Sequence, residues 1–95
     1  MIYWNQLAYD DSLNIADYID IENPSAALAI CEEIHNQIAM LADYPNMGRT
    51  GRVIGTRELV INRTAYIAVY RVSEQSVTIL RILHGALMWP RKPLD

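Results

Sequence analysis

The sequence predicts an α+β fold, an N-terminal strand and a helical hairpin packed on a mostly antiparallel sheet of three to four strands. Three observations lead there. Two stretches with apolar residues at helical spacing meet at Asn23-Pro24. Three β-branched runs follow one another from Arg57 to His84. The order strand, helix, helix, then strands shows no internal repeat, and helices segregated before strands stack as two layers.

Residues 1–5 read as a short strand, Ile2 and Trp4 on one side and Tyr3 on the other. Asn5 can cap a helix over 6–21 whose inward stripe is Ala8, Ser12, Ile15 and Ile19. Pro24 has no backbone donor and disfavours helix at Asn23, so the first helix stops there; Asn23 as cap and Pro24 as first helical residue start the second, over 24–43. Its stripe is Ala27, Ile30, Ile34, Ile38 and Leu41, with Cys31 beside it and His35 on the polar side, read as a solvated surface residue. Residues 44–56 form a loop rich in glycine and arginine (NMGRTGRVIG from Asn46). It lacks the lysine and Ser/Thr of a phosphate-binding loop and any strand-to-helix context.

Residues 57–84 supply three strands. RELVINR turns Leu59 and Ile61 inward; AYIAVYRVS sends Tyr66, Ala68, Tyr70 and Val72 one way and Ile67, Val69 and Arg71 the other. The run SVTILRILH, Ser76 to His84, reads as a central strand covered on both faces. Alternation puts Val77, Ile79, Arg81 and Leu83 on one face and Thr78, Leu80, Ile82 and His84 on the other, with Arg71 and Arg81 available on the face without helices. The tail, 85–95, carries Leu87, Met88 and Trp89, a high apolar load that either folds back as a lid or docks a partner.

With 95 residues the chain has room for one core. No apolar stretch is long enough to span a bilayer and no secretion signal precedes the first helix, so a soluble cytoplasmic protein is expected. Cys31 is the only cysteine, which excludes an internal disulfide and a Cys-based zinc site; paired histidines at ligand spacing are missing too, so neither a metal nor another cofactor is expected. The net charge of −3 hides an asymmetry: eight acids and no Lys or Arg precede Gly48, whereas eight bases and three acids follow it. Either the halves neutralise each other where they pack, or the basic half meets an acidic partner.

The polar groups able to form a catalytic constellation are His84, Arg81, Arg57, Glu58, Arg49 and Arg52. An acid-base nuclease needs a base for the 2′-hydroxyl, a donor for the leaving oxygen and cations on the phosphorane. One histidine at a strand end has a structural alternative, and the arginines can equally pair with the acidic helices.

Residues over nearly the whole chain carry a resemblance: Trp4, Ala8, Asp11, Ile15, Tyr18-Ile19, Asn23-Pro24, Ala26-Ala27, Ile34, Leu41, Pro45, Gly48-Arg49, the GTREL run from Gly55 to Leu59, Tyr66, Tyr70, Val77, Ile79-Leu80, His84-Gly85-Ala86 and Trp89-Pro90. In order and spacing the chain resembles the RelE/ParE superfamily of toxins from bacterial type II toxin–antitoxin modules, closer to the ParE side. The resemblance implies a toxin held inactive by an antitoxin encoded beside it, whose C-terminal segment wraps the toxin. ParE-like members inhibit DNA gyrase without being nucleases; RelE-like members cleave mRNA in the ribosome.

This chain departs from the RelE pattern: Lys92 is its only lysine, no tyrosine follows Tyr70, and the net charge is negative, unlike a protein that must enter among rRNA phosphates. Leu87 also departs from the ParE-like pattern, standing where an arginine commonly follows His-Gly-Ala. The resemblance therefore implies a gyrase inhibitor, with Arg49, Arg52, Arg57, Arg81 and His84 toward the target and Arg71, Leu87, Met88 and Trp89 toward the antitoxin. It implies no sequence-specific DNA binding by the toxin alone. The alternatives are a ribosome-dependent mRNA endonuclease using His84, Arg57, Arg81 and Glu58, and a degenerate, non-toxic homologue that only binds antitoxin.

Overall fold

Two asparagines set the helical layer of the protein, for which a computed structural model describes residues 1–74 and 76–85. The Asn5 side chain accepts the Ala8 amide at 2.9 Å and starts α1, Gln6–Glu22. Asn23 closes α1, its amide donating to the Ile19 carbonyl at 2.7 Å, while its side chain accepts the Ala26 amide at 3.1 Å. With Pro24 in the first turn, where a missing donor costs nothing, this opens α2, Pro24–Ala39. The second helix is shorter than its periodicity predicts: a 3₁₀ turn, Met40–Ala42, finishes it and buries Leu41.

The sheet is larger than the three to four strands expected. Its five strands are β1 (Ile2–Trp4), β2 (Arg49–Thr50), β3 (Arg57–Val60), β4 (Tyr66–Ser73) and β5 (Ser76–His84), in the order β1-β5-β4-β3-β2. β2 lies inside the stretch read as a loop; two exposed residues carry no burial alternation to reveal a strand. β5 has a strand on each side, but the middle position of the sheet belongs to β4. β1 runs parallel to β5, Ile2 opposite Val77 and Trp4 opposite Ile79, and the other pairs are antiparallel.

Alternation along β5 is broken by a bulge. Val69 pairs with Arg81 and the next residue, Tyr70, with Ile79, so Leu80 has no partner across the strand. Val77, Ile79 and Ile82 therefore share the helix-covered face, whereas Leu80 joins Val69 on the other, packed by Val53 and Leu83. This corrects the predicted pairing of Ile82 with Leu80 and of Leu83 with Ile79. The main core lies between layers, with Ala8, Ile15, Ile34, Ile38 and Leu41 against Leu59, Ile61, Ala68, Tyr70, Val77, Ile79 and Ile82. His35 is exposed, as predicted, yet its ring stacks on Trp4 at 5.2 Å and Nδ1 lies 2.9 Å from the Cys31 carbonyl. No helix among the described residues is long and apolar enough to cross a membrane.

Candidate functional site

Glu58 sits on β3 with its neighbours Arg57 and Leu59, one turned to the loop and one to the core. Its carboxylate points to the 49–56 segment and is 2% exposed. Burying a charge in that way is costly unless every lone pair is answered. Here it is: Arg49 donates from Nη2 at 3.0 Å and Nε at 3.3 Å, and Arg52 from its backbone amide at 2.8 Å and Nε at 3.2 Å. Burial pushes the carboxyl toward its neutral form, but the Arg52 amide and the two guanidiniums outweigh it and hold Glu58 below the usual glutamate range. Glu58, Arg49 and Arg52 are therefore one structural unit.

Beside it, Tyr70 is wholly buried and its hydroxyl donates to the Pro45 carbonyl at 2.8 Å while accepting the Gly48 amide at 2.9 Å. Gly48 is required for that approach, since a Cβ there would lie 2.6 Å from the Tyr70 hydroxyl. Arg57, opposite Tyr70 in the β3–β4 register, donates to the Gly48 carbonyl at 2.7 Å. Burial raises the Tyr70 pKa against the opposing pull of the Gly48 amide and Arg57, so the phenol stays protonated.

A third cluster forms where β1 ends. Past Ile79 no strand among the described residues lies along the outer edge of β5, and Asp11 of α1 bonds there: its Oδ2 accepts the Ile82 amide at 2.9 Å. The same carboxylate holds Arg81 in a two-pronged ion pair, Nε to Oδ2 at 2.7 Å and Nη2 to Oδ1 at 3.0 Å. Asp11's hydrogen bond raises the Arg81 pKa further above its ordinary value. Arg81, which alternation assigned to the face without helices, is instead tied to a helix. Alongside runs a groove of about 730 Å³ lined mainly by apolar atoms, with Asp11, Tyr18, Ile30, Tyr66, Arg81 and His84 in its wall. His84 meets the Tyr66 ring edge-on, centroids 5.5 Å apart, and burial raises the Tyr66 pKa.

The residues marked by sequence thus fall into separate places. Arg49, Arg52 and Glu58 come together; Arg57 holds the backbone of the neighbouring loop; Arg81 and His84 line the groove. Arg71 lies half-buried on β4 opposite Thr78, on the same face as Val69. Leu87, Met88 and Trp89 lie outside the described residues. Sequence reasoning missed Asp11 as the partner of Arg81 and Tyr66 as the neighbour of His84. Both pairings depend on a register that the bulge sets, and the only signal was that both residues belong to the quoted resemblance. The predicted neutralisation between halves is real in part: Asp11 meets Arg81 and Glu33 meets Arg63, whereas Arg49 and Arg52 find their acid within the basic half.

Comparison with known proteins gives concordant matches. A family model described as the ParE toxin of the type II toxin–antitoxin system parDE matches residues 2–89. Y4kP of Sinorhizobium fredii is 38% identical over 90 residues, 95% of this chain and 93% of that one. Toxin RelE2 of Caulobacter vibrioides is 34% identical over 85 residues, covering 90% and 94%. A solved structure described as a chromosomal ParDE TA system from P. aeruginosa contains a chain with the same fold, TM-score 0.77 and 30% identity over 85% of this chain and 90% of that one.

Proposed function

Because the chain belongs to the ParE toxin family of type II toxin–antitoxin systems, we propose that it acts in the cytoplasm as the toxin of such a module, inhibits DNA gyrase by binding it, and is neutralised by a cognate antitoxin. The observation that carries the gyrase reading is the state of Glu58. A general base must have a lone pair open to its substrate and a pKa near the working pH. Glu58 has both oxygens occupied by Arg49 and Arg52 and a pKa held low. The same contacts hold a loop in shape while leaving Arg49 and Arg52 about half exposed, which suits a recognition surface better than a phosphorane clamp. Arg81, already bound in two places by Asp11, is likewise part of the scaffold. Support for the antitoxin comes from the ParDE system to which the fold is similar.

A second reading, ribosome-dependent mRNA cleavage, has one observation in its favour: His84, Tyr66 and Arg81 line a single groove. Antitoxin-free protein assayed side by side on gyrase supercoiling and on mRNA integrity in a translating extract separates the two. Loss of supercoiling with intact mRNA is expected. Cleaved mRNA with normal supercoiling would overturn the gyrase reading, and inactivity in both would leave an antitoxin-binding homologue.

A further inference from the structure

Between β2 and β3 the chain turns through residues 51–56, and hydrogen bonds pin the turn at its two ends and at Arg52. The Gly51 amide donates to the Thr56 carbonyl at 2.8 Å, and the Thr56 amide and hydroxyl both donate to the Val53 carbonyl, at 3.1 and 2.6 Å. The Arg52 amide is anchored on Glu58. Gly55 supplies the left-handed backbone of the turn, φ +83°, and a Cβ on Gly51 would lie 2.2 Å from the Thr56 hydroxyl. Val53 turns inward onto the second core cluster. Ile54, at the tip, is 99% exposed.

A lone exposed aliphatic residue is ordinary on a protein surface. This one differs in its mounting. It contributes no burial to the fold, yet the loop that carries it is held by a buried carboxylate, and a loop ordered beforehand loses little entropy when a partner arrives. Along the loop the charge has one sign: residues 46–57 carry three arginines, Arg49, Arg52 and Arg57, and no acid, and the adjoining Glu58 is buried. Arg49 and Arg52 remain about half exposed, at 55% and 47%. Residues 46–58 contain no aromatic side chain on which a base could stack, which favours a protein over a single-stranded nucleic acid as the partner of these arginines.

We propose that the 51–56 loop is the toxin's target-recognition finger, in which Ile54 enters an apolar recess on an acidic protein surface and Arg49 and Arg52 meet carboxylates around its rim. The inference rests on the reading of the chain as a toxin with a protein target. It leaves the groove beside His84 and Tyr66, on the helix-covered side of the sheet, to other partners, because Val53 anchors the finger on the opposite face.

The test uses the full chain, co-expressed with its antitoxin, separated from it, and compared as wild type, Ile54→Asp and Ile54→Leu. Because the Ile54 side chain packs on nothing in the fold, all three are expected to melt together. Growth arrest on induction reads toxicity whatever the target; supercoiling reads gyrase; binding to immobilised antitoxin reads the other interface. Expected is a loss of inhibitory potency of about thirtyfold in Ile54→Asp, as for a central contact residue, near wild-type potency in Ile54→Leu, and antitoxin affinity unchanged within about twofold. Full potency in Ile54→Asp would overturn the proposal. So would a drop in antitoxin affinity alone, which would hand the finger to the antitoxin, or equal binding of wild type and Ile54→Asp to an RNA oligonucleotide with arrest unaffected. Wild-type arrest with untouched supercoiling would refute the gyrase reading while loss of arrest in Ile54→Asp still upheld the finger. A wild type that neither arrests growth nor inhibits gyrase would overturn both.

Discussion

Replacing Asp11 with alanine removes two things at once, the ion pair with Arg81 and the acceptor for the Ile82 amide. The pair is mostly shielded, with side chains 22% and 14% exposed. Stranding one member of a fully buried pair costs about 3–5 kcal/mol, and stranding a buried amide about 1–3 kcal/mol. The residual water contact at Arg81 lowers the first figure and the two are not additive, so about 3 kcal/mol is expected for Asp11→Ala. In a domain of this size each kcal/mol moves the melting temperature by about 4–8 °C, which makes the shift roughly 15 °C. Asp11→Asn keeps an oxygen for the Ile82 amide and should lose about half as much, while Arg81→Ala leaves Asp11 still bonded to that amide and should lose about 1–2 kcal/mol. Urea unfolding of the two single alanine variants and the double variant gives the coupling energy, expected at about 1–3 kcal/mol. Loss of less than about 1 kcal/mol in Asp11→Ala, or a coupling indistinguishable from zero, would refute the assignment of Asp11 as the group that secures this edge of β5.

Three other expectations follow from the same kind of reading. Glu58 ionises below its ordinary value of 4.5 when folded, so it stabilises the fold above that pH and the stabilisation drains away as pH falls through the lower, folded value; urea midpoints measured from about pH 7 to about pH 3 should therefore fall more steeply for wild type than for Glu58→Gln. Tyr70→Phe strands the Gly48 amide and the Pro45 carbonyl, and chemical denaturation should register a loss of about 1–3 kcal/mol; an unchanged midpoint would mean that neither group depends on the phenol. Gly48→Ala should cost about 1–3 kcal/mol because its new methyl meets the Tyr70 hydroxyl and ring and the Glu58 carbonyl; since ring and carbonyl both remain in Tyr70→Phe, urea midpoints should show no restoration of stability in the double variant.

Local signals in the sequence carried the helical layer well. Asn5, Asn23 and Pro24 do in the structure what their chemistry suggests, because caps act within one turn of themselves. The inward parity of β3 and β4 was equally legible in Leu59, Ile61, Ala68 and Tyr70, since a two-residue period survives as long as the pleat does. It failed on β5, where the unpaired Leu80 shifts everything after it by one place. β2 was hidden because two exposed residues have no pattern to read. The site suffered most, for Glu58 reads in sequence as a candidate base among arginines, and only its position under the 49–56 turn shows that those arginines are its ligands.

The parallel pairing of β1 with β5 also governs when the molecule can come into being. Ile2 lies against Val77, so the first strand made must wait for the last described one before it has a partner. At a synthesis rate of about 5–20 residues per second that interval is about 4–15 s, during which Ile2 and Trp4 have no sheet to join. β5 carries much of the core that both helices need, so neither layer can settle before it emerges. A chain interrupted before Val77 therefore lacks both the partner of β1 and the strand on which the two helices pack.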